Sequence, residues 1–242
     1  FQAYIDAKEL WGTPLSVRIG RQEMAFGSQW LVGTGDFAFF FTGLSFDAVR
    51  ATYTADTFTV DAWASKIIER MGDFMDNDAD FYGIYASCNA IEGHTFDAYW
   101  MLLRDGVDIV DVPGDNLWED LLGLDDYGTT NLHTVGLRAA GAFGAFDYDA
   151  EVAYQFGSAD VVGTTFKPAL YGDDDAKFDN LGAKLDAGYR FDCKFTPRVY
   201  IGARYYGGED NRDLSFWESI NPFHTPEASV SFNRLFSNDI TS

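Results

Sequence analysis

Three aspartates at alternate positions, Asp76, Asp78 and Asp80, have a type and spacing that suggest chemistry. Carboxylates this close together suit hard cations, and the spacing matches the first three ligand positions of an EF-hand loop. Phe81 stands where that loop needs glycine, however, and Ser87 where it needs its last glutamate. The sequence therefore excludes an EF-hand. It leaves two interpretations, a looser Ca²⁺ site in acidic loops or a solvated, self-repelling loop surface.

Catalytic constellations are the next possibility, and the sequence offers little for them. Asp147 and Asp149 could act as an acid–base pair, but alternate residues of a strand simply share one face. His94, His133 and His224 are scattered, without partners at metal-ligand spacing. The chain contains no G-x-S-x-G, H-E-x-x-H or P-loop motif. We therefore expect no enzymatic activity and no cofactor beyond such a Ca²⁺ ion.

Basic side chains form a second pattern, because they recur on one face of alternating segments. These bases are Lys8, Arg18, Arg21, Arg50, Arg138, Lys184, Arg190, Arg198 and Arg204, with Arg21 at a strand end. Acids occupy the same face, namely Asp6, Asp61, Asp97, Asp147, Asp149, Glu151 and Asp186. Two interpretations stay open. The charges form salt bridges between neighbouring strands, or the bases form a positive constriction that attracts carboxylate or phosphate solutes.

These side chains must be positioned by β-strands, since strict alternation of apolar and polar residues is the strand pattern. Residues 180–191 show it best, and an aromatic content of 17% also favours strands over helices. The predicted strands lie near 1–9, 14–21, 44–54, 57–67, 80–89, 95–104, 132–142, 146–157, 180–191 and 197–206, with another starting near 228.

The connections between these strands alternate between short and long. Short turns lie at 10–14, 54–57, 89–95, 141–146 and 192–196, and long segments at 22–43, 67–79, 105–131, 157–179 and 207–227. In an antiparallel meander, every second connection lies at the same end of the sheet. Tight turns at one end and long loops at the other are typical of outer-membrane barrels.

The fold expected from this rhythm is all-β, a transmembrane antiparallel up-and-down β-barrel with short periplasmic turns and long acidic extracellular loops. We expect residues 1–242 to form a single transmembrane β-barrel domain with about ten visible strands, and we expect this domain to be an incomplete part of a larger barrel. Each strand reaches the spanning length of about 9 to 11 residues. Aliphatic side chains then face lipid, and the bases line an aqueous lumen.

The formal charge of −21 argues against a nucleic-acid partner, because a polyanion would be repelled. The acids concentrate in the long segments, above all in 105–131, where residues 114–124 also have the spacing of a short helix. Such loops suit contact with lipopolysaccharide and its bridging divalent ions.

Cys88 and Cys193 stand far apart and outside any metal-binding motif.

Residues 14–53 resemble the alginate-export family of outer-membrane barrels. The matching positions are Gly20, Arg21, Gln22, Glu23, Gly27, Gly33, Phe46, Asp47 and Arg50. The resemblance implies a large monomeric barrel of about eighteen strands whose arginine-lined channel passes an anionic polysaccharide.

The function expected from these observations is an outer-membrane porin or channel, in a Gram-negative bacterium, for diffusion or export of small or polymeric anionic solutes. The alternative is a structural barrel or sheath that houses a secretion or electron-transfer partner in its lumen or in the periplasm. The sequence carries no haem motif, so any redox centre of such a sheath would belong to that partner.

Overall fold

The computed structural model describes residues 1–35, 43–68, 78–106, 129–159, 176–208 and 228–238. These residues form one sheet of eleven strands and a single 3-10 turn, Leu10–Gly12. The strands are β1 (Ala3–Ala7), β2 (Leu15–Gln22), β3 (Phe46–Thr54), β4 (Phe58–Ile68), β5 (Ala79–Cys88), β6 (His94–Asp105), β7 (Thr130–Phe143), β8 (Phe146–Ser158), β9 (Ala176–Arg190), β10 (Arg198–Tyr206) and β11 (Ala228–Val230). Among the described residues, no helix is long and apolar enough to cross a membrane.

Strands β1 to β10 pair in chain order, each antiparallel to the one before it. This is the up-and-down all-β arrangement that the alternation predicts. Among the described residues the sheet is not closed, which is consistent with part of a β-barrel. The strand bounds also confirm the alternation of short and long connections. The two ends of the sheet are called the short-turn end and the long-loop end below.

The boundaries differ from the predicted ones where cross-strand pairing extends a strand. β9 begins at Ala176 rather than near 180, because Lys177 and Phe178 pair with the last residues of β8. β10 ends opposite Gly182, so the start of β9 lacks β10 as a neighbour. The short β11 pairs there in parallel, so the strand predicted near 228 exists but does not continue the meander.

Alternation gives the sheet two chemically different faces. The face that carries Arg138 and Lys184 is called the polar face, and the face that carries Leu137 and Leu185 is called the apolar face. Large aliphatic side chains on the apolar face are uncovered, with Leu137 61% and Leu185 51% exposed. The apolar face therefore contacts no other part of the described chain that could bury it.

Two segments cover the long-loop half of the polar face, residues 23–35 and 231–238. They meet at a bridge between Val32 and Phe236. Between them and the sheet lies a dry cluster in which Trp30 and Phe81 are fully buried. Alternation predicts that this face borders an aqueous lumen. Its long-loop half is instead covered by these two segments, because packing between distant segments depends on contacts that periodicity cannot reveal.

Aromatic rings on the polar face lie flat over glycines of the neighbouring strand. A methyl group at Gly136 would lie 2.2 Å from Tyr99 Cζ, and one at Gly83 would lie 2.2 Å from Trp63 Cζ2. The Tyr99 ring is also held by its hydroxyl, which donates to Glu151 Oε1 at 2.9 Å. These glycines are therefore required by close packing.

The predicted helix at 114–124 lies outside the described residues, as do most of the acidic segment 105–131 and Asp76.

Replacing Gly136 by alanine should destabilise the sheet by about 1 to 3 kcal/mol, because the Tyr99 ring has no room to move. Urea titration of the full-length protein in detergent micelles measures this change. Ala98→Val is the control, since Ala98 is exposed on the apolar face of the adjacent strand and should tolerate the added methyl groups. Equal stability of the two variants would contradict the flat-ring packing.

Candidate functional site

The charged wall of the polar face is built by strand register. Asp97, Arg138, Glu151 and Lys184 lie directly opposite one another on β6, β7, β8 and β9. Acids and bases alternate along this row, and opposite charges on directly opposed residues stabilise a strand pair. Residues separated by almost ninety positions in sequence, Asp97 and Lys184, thus belong to one ladder.

Arg138 is the centre of this wall. Its Nη1 donates to Asp97 Oδ2 at 2.7 Å, while Nε and Nη2 donate to the two carboxylate oxygens of Asp149 at 2.9 Å each. Its side chain is only 12% exposed. A guanidinium this far from water is tolerated because its planar fork is matched by carboxylates on two sides.

Two tyrosines complete the hydrogen bonding of the wall acids. Tyr85 donates to Asp97 Oδ2 at 2.8 Å, and Tyr99 donates to Glu151 Oε1 at 2.9 Å. Their rings stack with centroids 5.4 Å apart. Neither tyrosine carries a charge that would mark it as a site residue in the sequence, although alternation places Tyr85 and Tyr99 on the same face as Asp97.

Lys184 and Arg204 extend the wall toward β10. Arg204 binds both oxygens of Asp186, at 2.7 and 3.0 Å. Lys184 Nζ lies 3.3 Å from Asp149 and 3.3 Å from Asp186, so it joins the Arg138 group to the Arg204 group. The result is a continuous network across five strands, β6 to β10.

A second group of ion pairs lies on β1 to β4. Arg18 and Arg50 are directly opposite each other, an unfavourable arrangement for like charges. Arg18 forms two hydrogen bonds to Asp6, at 2.7 and 2.9 Å, and Arg50 donates to Asp61 at 2.8 Å. Each carboxylate therefore offsets the repulsion between the two guanidinium groups.

Three further predicted bases, Arg198, Arg190 and Lys8, lie near the short-turn end of the polar face. Arg198 forms a bidentate pair with Asp147, at 2.5 and 3.0 Å. Arg190 lines a cleft with the same aspartate, and Lys8 lines one with Arg18 and Arg50. Of the two interpretations left open by the sequence, pairing between neighbouring strands describes five of the predicted bases, Arg18, Arg50, Arg138, Lys184 and Arg204. Arg198, on β10, is also paired, but it reaches across β9 to Asp147 on β8.

Arg21 is an exception, because it lies on the apolar face, where its partner is Asp47 at 2.5 and 2.8 Å. The structure therefore separates Arg21 from the bases of the polar face with which the sequence grouped it. β2 runs to Gln22, so alternation continues past Ile19 and turns Arg21 away from Arg18. Gln22 faces the other way and is fully buried, with its amide donating to Ala48 O at 3.1 Å.

The described part of the proposed metal site is occupied by ion pairs. Asp78 and Asp80 both bind Lys66, and Asp80 also lies 3.8 Å from Arg104. These residues are at the long-loop end of the apolar face, beside Asp47. Within the described ranges, no three His, Cys, Asp or Glu side chains are grouped as metal ligands would be, and Asp76 lies outside those ranges.

Segment 23–35 touches the wall at Gly27 and Ser28. Gly27 has φ +54°, and a methyl group there would lie 2.5 Å from Tyr85 Oη and 3.2 Å from Arg138 Cδ. Ser28 Oγ donates to Glu151 Oε2 at 3.2 Å. A glycine is therefore needed where the segment crosses the buried charges.

A family model described as alginate export matches residues 1–239. The chain belongs to the alginate export family. The resemblance read from residues 14–53 is thereby confirmed, and it extends over the whole sheet. Membership in the alginate export family indicates an outer-membrane export channel rather than an enzyme. A comparison with curated proteins found no match.

Removing Arg138 should cost about 3 kcal/mol or more, because Arg138→Met leaves buried carboxylates without their partner. Arg198→Met is the matched control, since it removes a bidentate pair that is open to solvent, and it should change stability little. Urea unfolding of the full-length protein in micelles compares them. Similar losses for both variants would show that burial of the wall does not matter.

Proposed function

We propose that this chain forms part of the wall of an outer-membrane channel that exports an anionic polysaccharide. Its polar face would line the aqueous passage and its apolar face would contact lipid. The observation that carries the proposal is the division of one sheet, in a member of the alginate export family, into a face of ion pairs and a face of exposed aliphatic side chains.

Aromatic residues on the apolar face support contact with lipid. Near the short-turn end, Phe143 and Phe146 lie opposite each other. Near the long-loop end, His133 lies between the rings of Trp100 and Phe156, at 5.9 and 5.0 Å. Aromatic girdles at both edges of an apolar band are the signature of a membrane-spanning barrel.

Charge pairs on the apolar face support the same placement. Arg21 with Asp47, and Lys66 with Asp78 and Asp80, lie on neighbouring strands at the long-loop end. Charged side chains are costly in hydrocarbon but favourable among headgroups. We infer that this row lies at the level of the outer-leaflet headgroups, where contact with lipopolysaccharide would occur.

The paired wall suggests how a polyanion would pass. Bases and acids on the polar face nearly balance, so the wall would hold an anionic sugar weakly at many points. A passing carboxylate would exchange with a wall carboxylate for the same guanidinium, as at Arg204 and Asp186. Conduction requires sites that are favourable enough to enter and weak enough to leave.

Selectivity should respond in opposite directions to the two halves of one pair. Asp186→Asn frees Arg204 and Lys184 from their shared carboxylate, so anion preference should rise. Arg204→Gln removes the bidentate partner of Asp186, so the preference should shift toward cations. Reversal potentials of the full-length protein in planar bilayers under asymmetric salt measure both shifts.

Unchanged reversal potentials in both variants would place these groups outside the passage. A protein that never conducts, although correctly folded, would favour the structural sheath over the channel.

Lipid contact predicts a depth-dependent cost for charge on the apolar face. Leu185→Arg lies midway along β9 and should destabilise the membrane-inserted state by about 2 to 4 kcal/mol, whereas a charge near the interface costs only about 0 to 1 kcal/mol. Tyr189→Arg, at the short-turn end of the same strand, is the matched control. Folding equilibria in lipid vesicles measure the difference, and equal costs would contradict the placement.

A further inference from the structure

Phe26, at the tip of segment 23–35, packs its ring parallel to two aromatic rings of the polar face. The ring centroids are 4.6 Å from Trp63, with an interplanar angle of 18°, and 5.0 Å from Tyr85, with an angle of 20°. Phe26 is 7% exposed. The wall therefore offers a flat aromatic site, and a ring from this chain fills it.

Two polar atoms at this site are buried without hydrogen-bond partners among the described residues, Trp63 Nε1 and Asp97 Oδ1. Trp63 stacks directly on Phe26, and Asp97 accepts the hydroxyl of Tyr85. Burying an unpaired donor or acceptor costs about 1 to 3 kcal/mol, so such atoms are uncommon. A phenyl ring can satisfy neither atom, whereas a ring bearing hydroxyl groups can satisfy both.

Cations also adjoin the site. The guanidinium carbon of Arg50 lies 5.2 Å from the centre of the Phe26 ring. Arg138 approaches from the side of Gly27. Flat aromatic surface, hydrogen-bonding groups at its edge and nearby guanidinium groups together match a sugar ring that carries a carboxylate. The apolar C–H face of the sugar stacks, its hydroxyls bind the edge, and its carboxylate meets arginine.

The backbone of the tip that carries Phe26 is hydrogen-bonded to itself and to segment 231–238, and the Ser28 side chain adds one hydrogen bond to Glu151 of the wall. Gln29 N donates to Phe26 O at 2.9 Å, and Phe26 N donates to Val32 O at 3.1 Å. Asn238 N donates to Gln29 O at 2.9 Å. Withdrawal of Phe26 from the site would therefore leave the hydrogen bonds between the strands intact.

We propose that the site under Phe26, formed by Trp63, Tyr85, Asp97 and Arg50, is a binding subsite for one uronic acid ring. In the absence of sugar the Phe26 ring fills this site, and it leaves the site when the sugar ring binds. The inference rests on the proposed function for the identity of the solute, a polymer of anionic sugars. The new element is the position of one sugar-binding subsite and the requirement that Phe26 move out of it.

The test is calorimetric binding of a hexuronic acid hexamer to the purified full-length protein in detergent micelles. Phe26→Ala removes the competitor and should tighten binding about tenfold, the factor that corresponds to about 1.4 kcal/mol. Phe46→Ala is the matched control, because Phe46 is another buried ring of the same cluster, with Phe81 and Phe236 as its aromatic neighbours. It should leave the affinity unchanged.

Two further variants separate the effect of removing the competing ring from the effect of the cavity that Phe26→Ala creates. Gly27→Ala retains Phe26 but forces the tip away from Tyr85 Oη, so it should also tighten binding. Adding Trp63→Phe to Phe26→Ala keeps a ring for stacking but deletes the Nε1–H donor, and it should return the affinity toward the wild-type value. A neutral hexose hexamer should gain much less than the uronate hexamer.

No gain over Phe46→Ala, or an equal gain for the neutral hexamer, would overturn the subsite. Conductance of the same variants separates this result from the proposed function. Ion conduction without an affinity gain removes the subsite alone. An affinity gain in a protein that conducts no ions retains the subsite and removes the channel.

Discussion

Arg138 is largely buried in the middle of a β-sheet, and the rest of the polar face depends on how its charge is balanced. Asp97 and Asp149 bind it from neighbouring strands, and Lys184 continues the network. A one-residue slip between β6 and β7 would turn Asp97 to the opposite face and leave Arg138 with an unpaired side. Pairing of buried charges therefore requires the observed register.

The same register places two kinds of layer along the polar face. Ion pairs occupy the middle and the short-turn end, whereas stacked rings occupy the long-loop end beneath segments 23–35 and 231–238. Glycines such as Gly83 and Gly136 make room for rings that lie flat on the sheet. A solute crossing this face would meet exchangeable charges at one end and aromatic surface at the other.

The ion-pair layer and the aromatic layer, taken together, suit a polymer more than a single small ion. A charge-balanced wall gives weak, repeated contacts, and an aromatic layer favours rings over simple anions. The family match makes an outer-membrane export channel the context for both layers. Segments 23–35 and 231–238 cover the aromatic layer at the long-loop end.

Local periodicity determined much of this protein. The apolar–polar alternation in residues 132–142, 146–157 and 180–191 was sufficient to predict β7, β8 and β9 and the shared face of Arg138 and Lys184, and the alternation of short and long connections predicted the up-and-down order. The grouping of Arg21 with the other bases departed from the apolar–polar alternation, which places Arg21 on the same face as Val17 and Ile19. Tertiary structure alone decided which acid meets which base, and that Phe26 and Trp30 cover the polar face. Strand periodicity is a property of neighbouring residues, whereas pairing and coverage depend on register and on segments distant in sequence, which no local pattern encodes.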